Sequence, residues 1–162
     1  METNARGYRA WLAVAAGLAL ALGLALGLGA CTVKLVADYD ASTFEEILRV
    51  GKEVDRFYGM LLEAPEGQRP YAKYAQQYVD IETDIRSLVT RNQARPLNDE
   101  STQISETILK LWIKYKDKHK ANDGYATGAA TLDRARFVRL FKAAAAAEEA
   151  KQLQPGDTDV SK

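Results

Sequence analysis

The chain has one cysteine, one histidine and four prolines in 162 residues. A single cysteine excludes an intramolecular disulfide and a cysteine-rich zinc site. A single histidine excludes a site built from paired imidazoles, including the Glu-x-x-His pairs of di-iron bundles. No Cys-x-x-Cys-His haem motif is present. Neither charge is in excess. The 22 basic and 22 acidic residues cancel, which argues against a dedicated nucleic-acid binder. No segment with strand periodicity is longer than Thr32 to Asp38, and no internal repeat stands out. The length suits one domain.

The apolar residues are unevenly placed. Ala10 to Leu28 is a run of 19 residues without a charge, preceded by Arg6 and Arg9 and followed by Leu28-Gly29-Ala30-Cys31. A basic start, an apolar stretch and small residues before a cut site read as a secretory signal. The last four residues resemble the lipobox of bacterial lipoproteins, in which Leu, two small residues and Cys stand in that order. The resemblance implies that a diacylglycerol group is placed on the Cys31 thiol and that a peptidase cuts before Cys31. It implies further acylation of the new amino group, commonly with palmitate, in organisms that have that step. Thr32 stands where an Asp marks inner-membrane retention in enterobacterial lipoproteins. By that resemblance the periplasmic face of the outer membrane is favoured over the inner membrane. An uncleaved anchor stays open, because 19 apolar residues reach the lower limit for a spanning helix. Either way Arg6 and Arg9 stay in the cytoplasm and the chain after residue 31 lies outside it. Nucleic acid is then not a partner.

This reading divides the chain into a signal peptide (1–30), a short membrane-proximal segment (31–41), a helical domain (42–153) and a disordered tail (154–162). Ser42 with Glu45, or Thr43 with Glu46, offers a capping box for a first helix, with Asp40 in support. Phe44, Ile47, Val54, Phe57, Tyr58, Leu61 and Leu62 recur at helical spacing behind it. Pro70 opens a second helix whose stripe is Tyr71, Tyr74, Ala75, Tyr78, Ile81, Ile85, Leu88 and Val89. Asn98-Asp99-Glu100-Ser101 announces a third, with Ile104, Ile108, Leu111, Trp112 and Tyr115 on its inner face. A fourth runs from about residue 129 to Leu153, with Leu132, Phe137, Val138, Phe141 and the alanines 143–147 inward. Four amphipathic helices joined by short loops predict an all-α, up-down-up-down four-helix bundle.

Few residues suggest chemistry. Asp80, Glu82 and Asp84 read as a solvated face. His119 sits in a lysine-rich helix end, where it suits the helix dipole or a turn. Tyr71, Tyr74 and Tyr78 share a face and read either as core or as an aromatic surface for a partner. Lys110, Lys114, Lys116, Lys118 and Lys120 are followed by Arg134, Arg136, Arg139 and Lys142. Antiparallel packing of the last two helices brings these to one end of the bundle, where an anionic surface or polymer would meet them. The candidate partner surface is therefore Tyr71, Tyr74, Tyr78, Lys114, Lys118, His119 and Arg136. No catalytic residue, metal site or cofactor is expected.

Beyond the lipobox, residues 39–151 resemble a group of small helical lipoproteins of proteobacteria. The resemblance rests on Tyr39-Asp40, Asp55, Phe57, Asn98, His119 and Glu149-Ala150-Lys151. It implies a fold and a compartment, and no mechanism. The expectation is a membrane-anchored envelope lipoprotein that binds or scaffolds, meeting an envelope protein or an anionic envelope polymer. The alternative is a carrier of small ligands, with a pocket between helices lined by Tyr58, Tyr74 and Tyr78.

Overall fold

A computed structural model describes residues 35–153. The signal segment, Leu28, Gly29, Ala30, Cys31 and the tail from residue 154 lie outside them. The described chain forms four helices: α1 (Ala41–Glu63), α2 (Tyr71–Gln93), α3 (Asp99–Asn122) and α4 (Thr127–Glu149). A 3-10 turn, Glu66–Gln68, joins α1 to α2, and another, Ala150–Leu153, follows α4. Each helix packs on its neighbour in sequence, and α4 closes the ring against α1. This is the up-down-up-down bundle that the periodicity predicts. At 23 or 24 residues each, the helices are roughly 35 Å long. Among the described residues no helix is long and apolar enough to cross a membrane.

Local signals set the helix starts, with two departures from expectation. Asp40, not Ser42 or Thr43, is the N-cap of α1. Its carboxylate accepts from the Ser42 N–H at 3.0 Å and the Thr43 hydroxyl at 2.6 Å. One carboxylate satisfies both groups, and the Thr43 side chain is buried. At α2, Pro70 precedes the first turn and has no capping side chain of its own. The Tyr71 N–H instead donates to Asp123 Oδ1 at 2.9 Å, so the turn after α3 caps α2.

The core follows the apolar stripes of α1, α2 and α3. Val50, Phe57, Tyr58, Leu61, Tyr78, Ile85 and Trp112 are fully enclosed. The stripe of α4 differs from expectation. Leu132 and Val138 face solvent at 66% and 49% exposure. The buried face instead runs through Ala130, Asp133, Phe137, Phe141, Ala144 and Glu148. Two carboxylates occupy inward positions, and apolar periodicity alone misses them. Gly51 of α1 meets this face closely: a Cβ there would lie 3.0 Å from Phe141 Cγ. The absent side chain lets α1 and α4 approach.

Candidate functional site

Two buried polar clusters close the two ends of the bundle, and a basic face runs along the outside of α3 and α4.

The first cluster lies at the end formed by the α1–α2 and α3–α4 connections. His119, near the end of α3, is 1% exposed. Its Nε2 lies 2.8 Å from the Arg69 carbonyl oxygen, which can only accept. The ring proton therefore sits on Nε2, and Nδ1 accepts from the Tyr78 hydroxyl at 3.0 Å. The rings of Tyr71, Tyr74, Tyr78 and Tyr125 surround the imidazole at centroid distances of 5.1 to 5.8 Å. Burial holds the His119 pKa below the usual imidazole value, against the Arg69 carbonyl and Asp123, which raise it. Burial also pushes the Tyr58, Tyr78 and Tyr125 hydroxyls well above the usual phenol range.

Arg69 ties the same end together. Its guanidinium donates to the Ala64 carbonyl at 2.7 and 2.9 Å and to the Leu62 carbonyl at 3.3 Å, at the C-terminus of α1. It also reaches the Tyr125 carbonyl and the Thr127 hydroxyl, both at 3.0 Å, at the start of α4. Tyr125 donates to Asp133 Oδ2 at 2.7 Å, which leaves the Tyr58 hydroxyl to donate to Tyr125 at 3.4 Å. Arg69, Tyr78, His119, Tyr125 and Asp133 are each satisfied by another part of the chain. The arrangement holds loops and helix ends in place. It presents no base or nucleophile to an open cleft.

The second cluster lies at the opposite end, where the described chain begins. Glu148 of α4 is fully buried. Its carboxylate accepts from the Asp40 N–H at 2.9 Å, from Arg95 at 3.1 Å and from Lys151. Lys151 also donates to Asn98 Oδ1 at 2.6 Å, and Arg95 donates to the Asp38 carbonyl. Burial pushes the Glu148 carboxyl upward, but the bonds from Arg95, Lys151 and the Asp40 N–H outweigh it and hold it below the usual range. The Ala37 N–H donates to the Leu97 carbonyl at 2.8 Å. Together these contacts fasten residues 37–40 to α4 and to the α2–α3 loop. Two solvent-open hollows flank this segment, about 340 Å³ beside Tyr39 and Arg95 and about 170 Å³ beside Val36 and Ala147.

The candidate partner surface divides. Tyr74, Tyr78 and His119 are at most 3% exposed, so they are core and not surface. The polar tips of Tyr78 and His119 find partners inside the bundle, which removes the reason for them to face water. Tyr71 is half-buried, its ring stacked on Tyr78 at 5.7 Å with the Lys120 ammonium 5.8 Å from its centre. Lys114, Lys118 and Arg136 are exposed. Arg136 is partly engaged, donating to Asp133 at 3.0 Å and to the Tyr115 hydroxyl. The tyrosines expected to line a pocket are packed against other rings. Tyr58 and Tyr78 meet Phe57, Trp112 and each other's neighbours as packed rings, not as the walls of an opening. Among the described residues no group of three or more His, Cys, Asp or Glu is placed to hold a metal ion.

Sequence reasoning missed Arg69, Asp133 and Glu148. Each is a charged residue that hydropathy assigns to solvent, and its burial shows only once its distant partners are in place. No protein-family model, curated protein or solved structure matches the chain.

Proposed function

We propose that the protein is a lipoprotein of the bacterial cell envelope. Cys31 carries the lipid, and the helical domain acts by binding or scaffolding at the periplasmic face of the outer membrane. The observation that carries this reading is the sequence Leu28-Gly29-Ala30-Cys31 directly after an uncharged run, four residues before the described chain begins at Leu35. A lipid on Cys31 would hold the helical domain to the membrane through a short segment. The fastening of residues 37–40 by Glu148, Arg95 and Leu97 suits a domain held close to its anchor. The filled core supports binding on the outside over carriage inside. Two or three acyl chains suit firm attachment, because each buried CH₂ contributes ~0.8 kcal/mol and a single chain binds only reversibly.

The test is metabolic labelling with palmitate in a host that processes lipoproteins. The native chain is expected to take up label and lose residues 1–30. Cys31→Ala is expected to take up none and to accumulate as precursor. Processing and release of Cys31→Ala like the native chain would overturn the reading.

A further inference from the structure

We propose that the end of the bundle where α1 begins and α4 finishes sits in the lipid surface itself, with Leu35, Leu97 and Leu153 as the side chains that enter it. The proposal rests on the envelope reading above for its anchor, and it adds a direct contact between the folded domain and lipid. Exposed large hydrophobic side chains are unevenly placed over the described residues. On the helices they stand singly: Leu48 and Met60 on α1, Val79 on α2, Leu132 and Val138 on α4. Scattered exposure of that kind is ordinary. Outside the four helices there are three more, Leu35, Leu97 and Leu153, exposed at 77%, 49% and 85%. All three belong to segments at the same end of the bundle. At the opposite end, residues 64–70 and 123–126 expose none.

Leu97 is held outward against its local preference. It sits in the α2–α3 loop with φ at 60°, a left-handed backbone that favours glycine or asparagine. Its carbonyl accepts from the Ala37 N–H at 2.8 Å, which fixes the loop to the entering chain. Leu97 lines both of the hollows described above and stays half exposed between them. Pro96 beside it is exposed as well. A leucine on a backbone that suits glycine, with its side chain in water, gains nothing from the fold. Strain kept at such a position points to a use outside the fold, and contact with an apolar phase would offset it.

The occupant follows from where the chain leads. Only Thr32, Val33 and Lys34 separate Cys31 from Leu35 in the sequence. Past Leu35 the chain is tied down: Ala37 to Leu97, Asp38 to Arg95 and Asp40 to Glu148. A lipid on Cys31 therefore brings Leu35, and the Leu97 loop fixed beside it, to a lipid surface. A protein partner would have to enter between the anchor and the domain. Apolar side chains that settle at the boundary of headgroups and acyl chains gain by burial alone, so headgroups of no net charge suffice. Tyr39, half-buried beside the larger hollow, adds a ring of the kind that favours the headgroup layer.

The experiment reconstitutes the protein, as extracted from its envelope, into phosphatidylcholine vesicles with brominated acyl chains, which quench tryptophan in the hydrocarbon. Trp112 is fully buried and gives the background. Every variant also carries Trp11→Phe, so that a retained signal segment adds no emission. Leu97→Trp and Leu35→Trp are expected to be quenched at least threefold more than Leu132→Trp on the outer face of α4. The contrast is expected to survive high salt. Adding Leu97→Asn, which suits the left-handed backbone, to Leu35→Trp is expected to halve the quenching at unchanged thermal midpoint. If Leu97→Trp fails to fold, Leu35→Trp carries the test. Equal quenching of the variants would overturn the proposal, and so would stronger quenching of Leu132→Trp, which lays the bundle on its flank. Quenching that needs phosphatidylglycerol and disappears in high salt would reduce the contact to charge and overturn it. A blue shift of Leu97→Trp without quenching, growing with protein concentration, would assign this end to a second copy and also overturn it. Palmitate labelling reads the covalent lipid and not the depth of the domain. Labelled protein without the contrast refutes this contact alone, and an unlabelled, uncleaved chain that shows the contrast refutes only the lipid on Cys31.

Discussion

His119 commits both ring nitrogens inside the bundle, one to the Arg69 carbonyl and one to Tyr78. The neutral ring is the form that fits. Its folded pKa lies below the usual value of 6.5. Above about pH 6.5 the ring is neutral in folded and unfolded chains alike, and its full contribution to stability is present. As pH falls through 6.5, the unfolded chain takes up a proton that the folded chain refuses. Stability then declines by up to ~1.4 kcal/mol per pH unit until the folded ring also titrates. Denaturant midpoints at pH 7.5 and 5.5 check this. The native chain is expected to be less stable at pH 5.5, and His119→Gln to be less stable at both but much less dependent on pH. The carboxylates held low by partners, such as Asp40 and Asp55, lose their contributions only nearer their ordinary values of 3.8. The histidine was legible in the sequence only as a singularity. Its lysine-rich neighbourhood pointed to the surface, because nothing local reveals that residue 119 faces Arg69, Tyr78 and Tyr125.

At the scale of elements, the helices themselves were legible and their polar fastenings were not. The stripes of α1, α2 and α3 carry enough large apolar residues for periodicity to find the buried face. On α4 the stripe is thin, and Asp133 and Glu148 take inward positions where apolar periodicity favours Leu132 and Val138. Glu148 is the residue on which the α4 end depends. It meets Arg95 from the α2–α3 loop, Lys151 from the final turn and the Asp40 N–H from the start of α1. Its carboxyl is held below the usual range, so its contribution is complete above about pH 4.5 and is lost as pH falls further. Glu148→Ala leaves two half-buried cations, Arg95 and Lys151, facing each other without their carboxylate and is expected to cost about 3 kcal/mol. The double variant Glu148→Met, Lys151→Met removes charge of both signs and is expected to recover part of that loss. Chemical denaturation of the single and double variants decides the point. A double variant no more stable than Glu148→Ala would mean that packing, not unpaired charge, dominates.

At the scale of the whole molecule, exposed lysines recur along α3 at Lys110, Lys114 and Lys118, interleaved with the exposed acids Glu106 and Asp117. The order of charges in the sequence makes the basic run visible. The bundle is needed to show which of its members are spent, as Lys116 is on Glu82 and Arg134 on Asp55. The compartment, by contrast, rests on the sequence alone, because Leu28 to Cys31 lie outside the described residues. The proposed binding or scaffolding role draws its structural support from the packed core and the internally bonded polar clusters. The claim that the domain is held at a membrane by lipid is tested most directly by the intact mass of the protein extracted from its native envelope. The expected product is a chain beginning at Cys31, lighter than the 17.9 kDa of the full sequence, with diacylglycerol on the Cys31 thiol. A full-length chain with a free Cys31 thiol would contradict it.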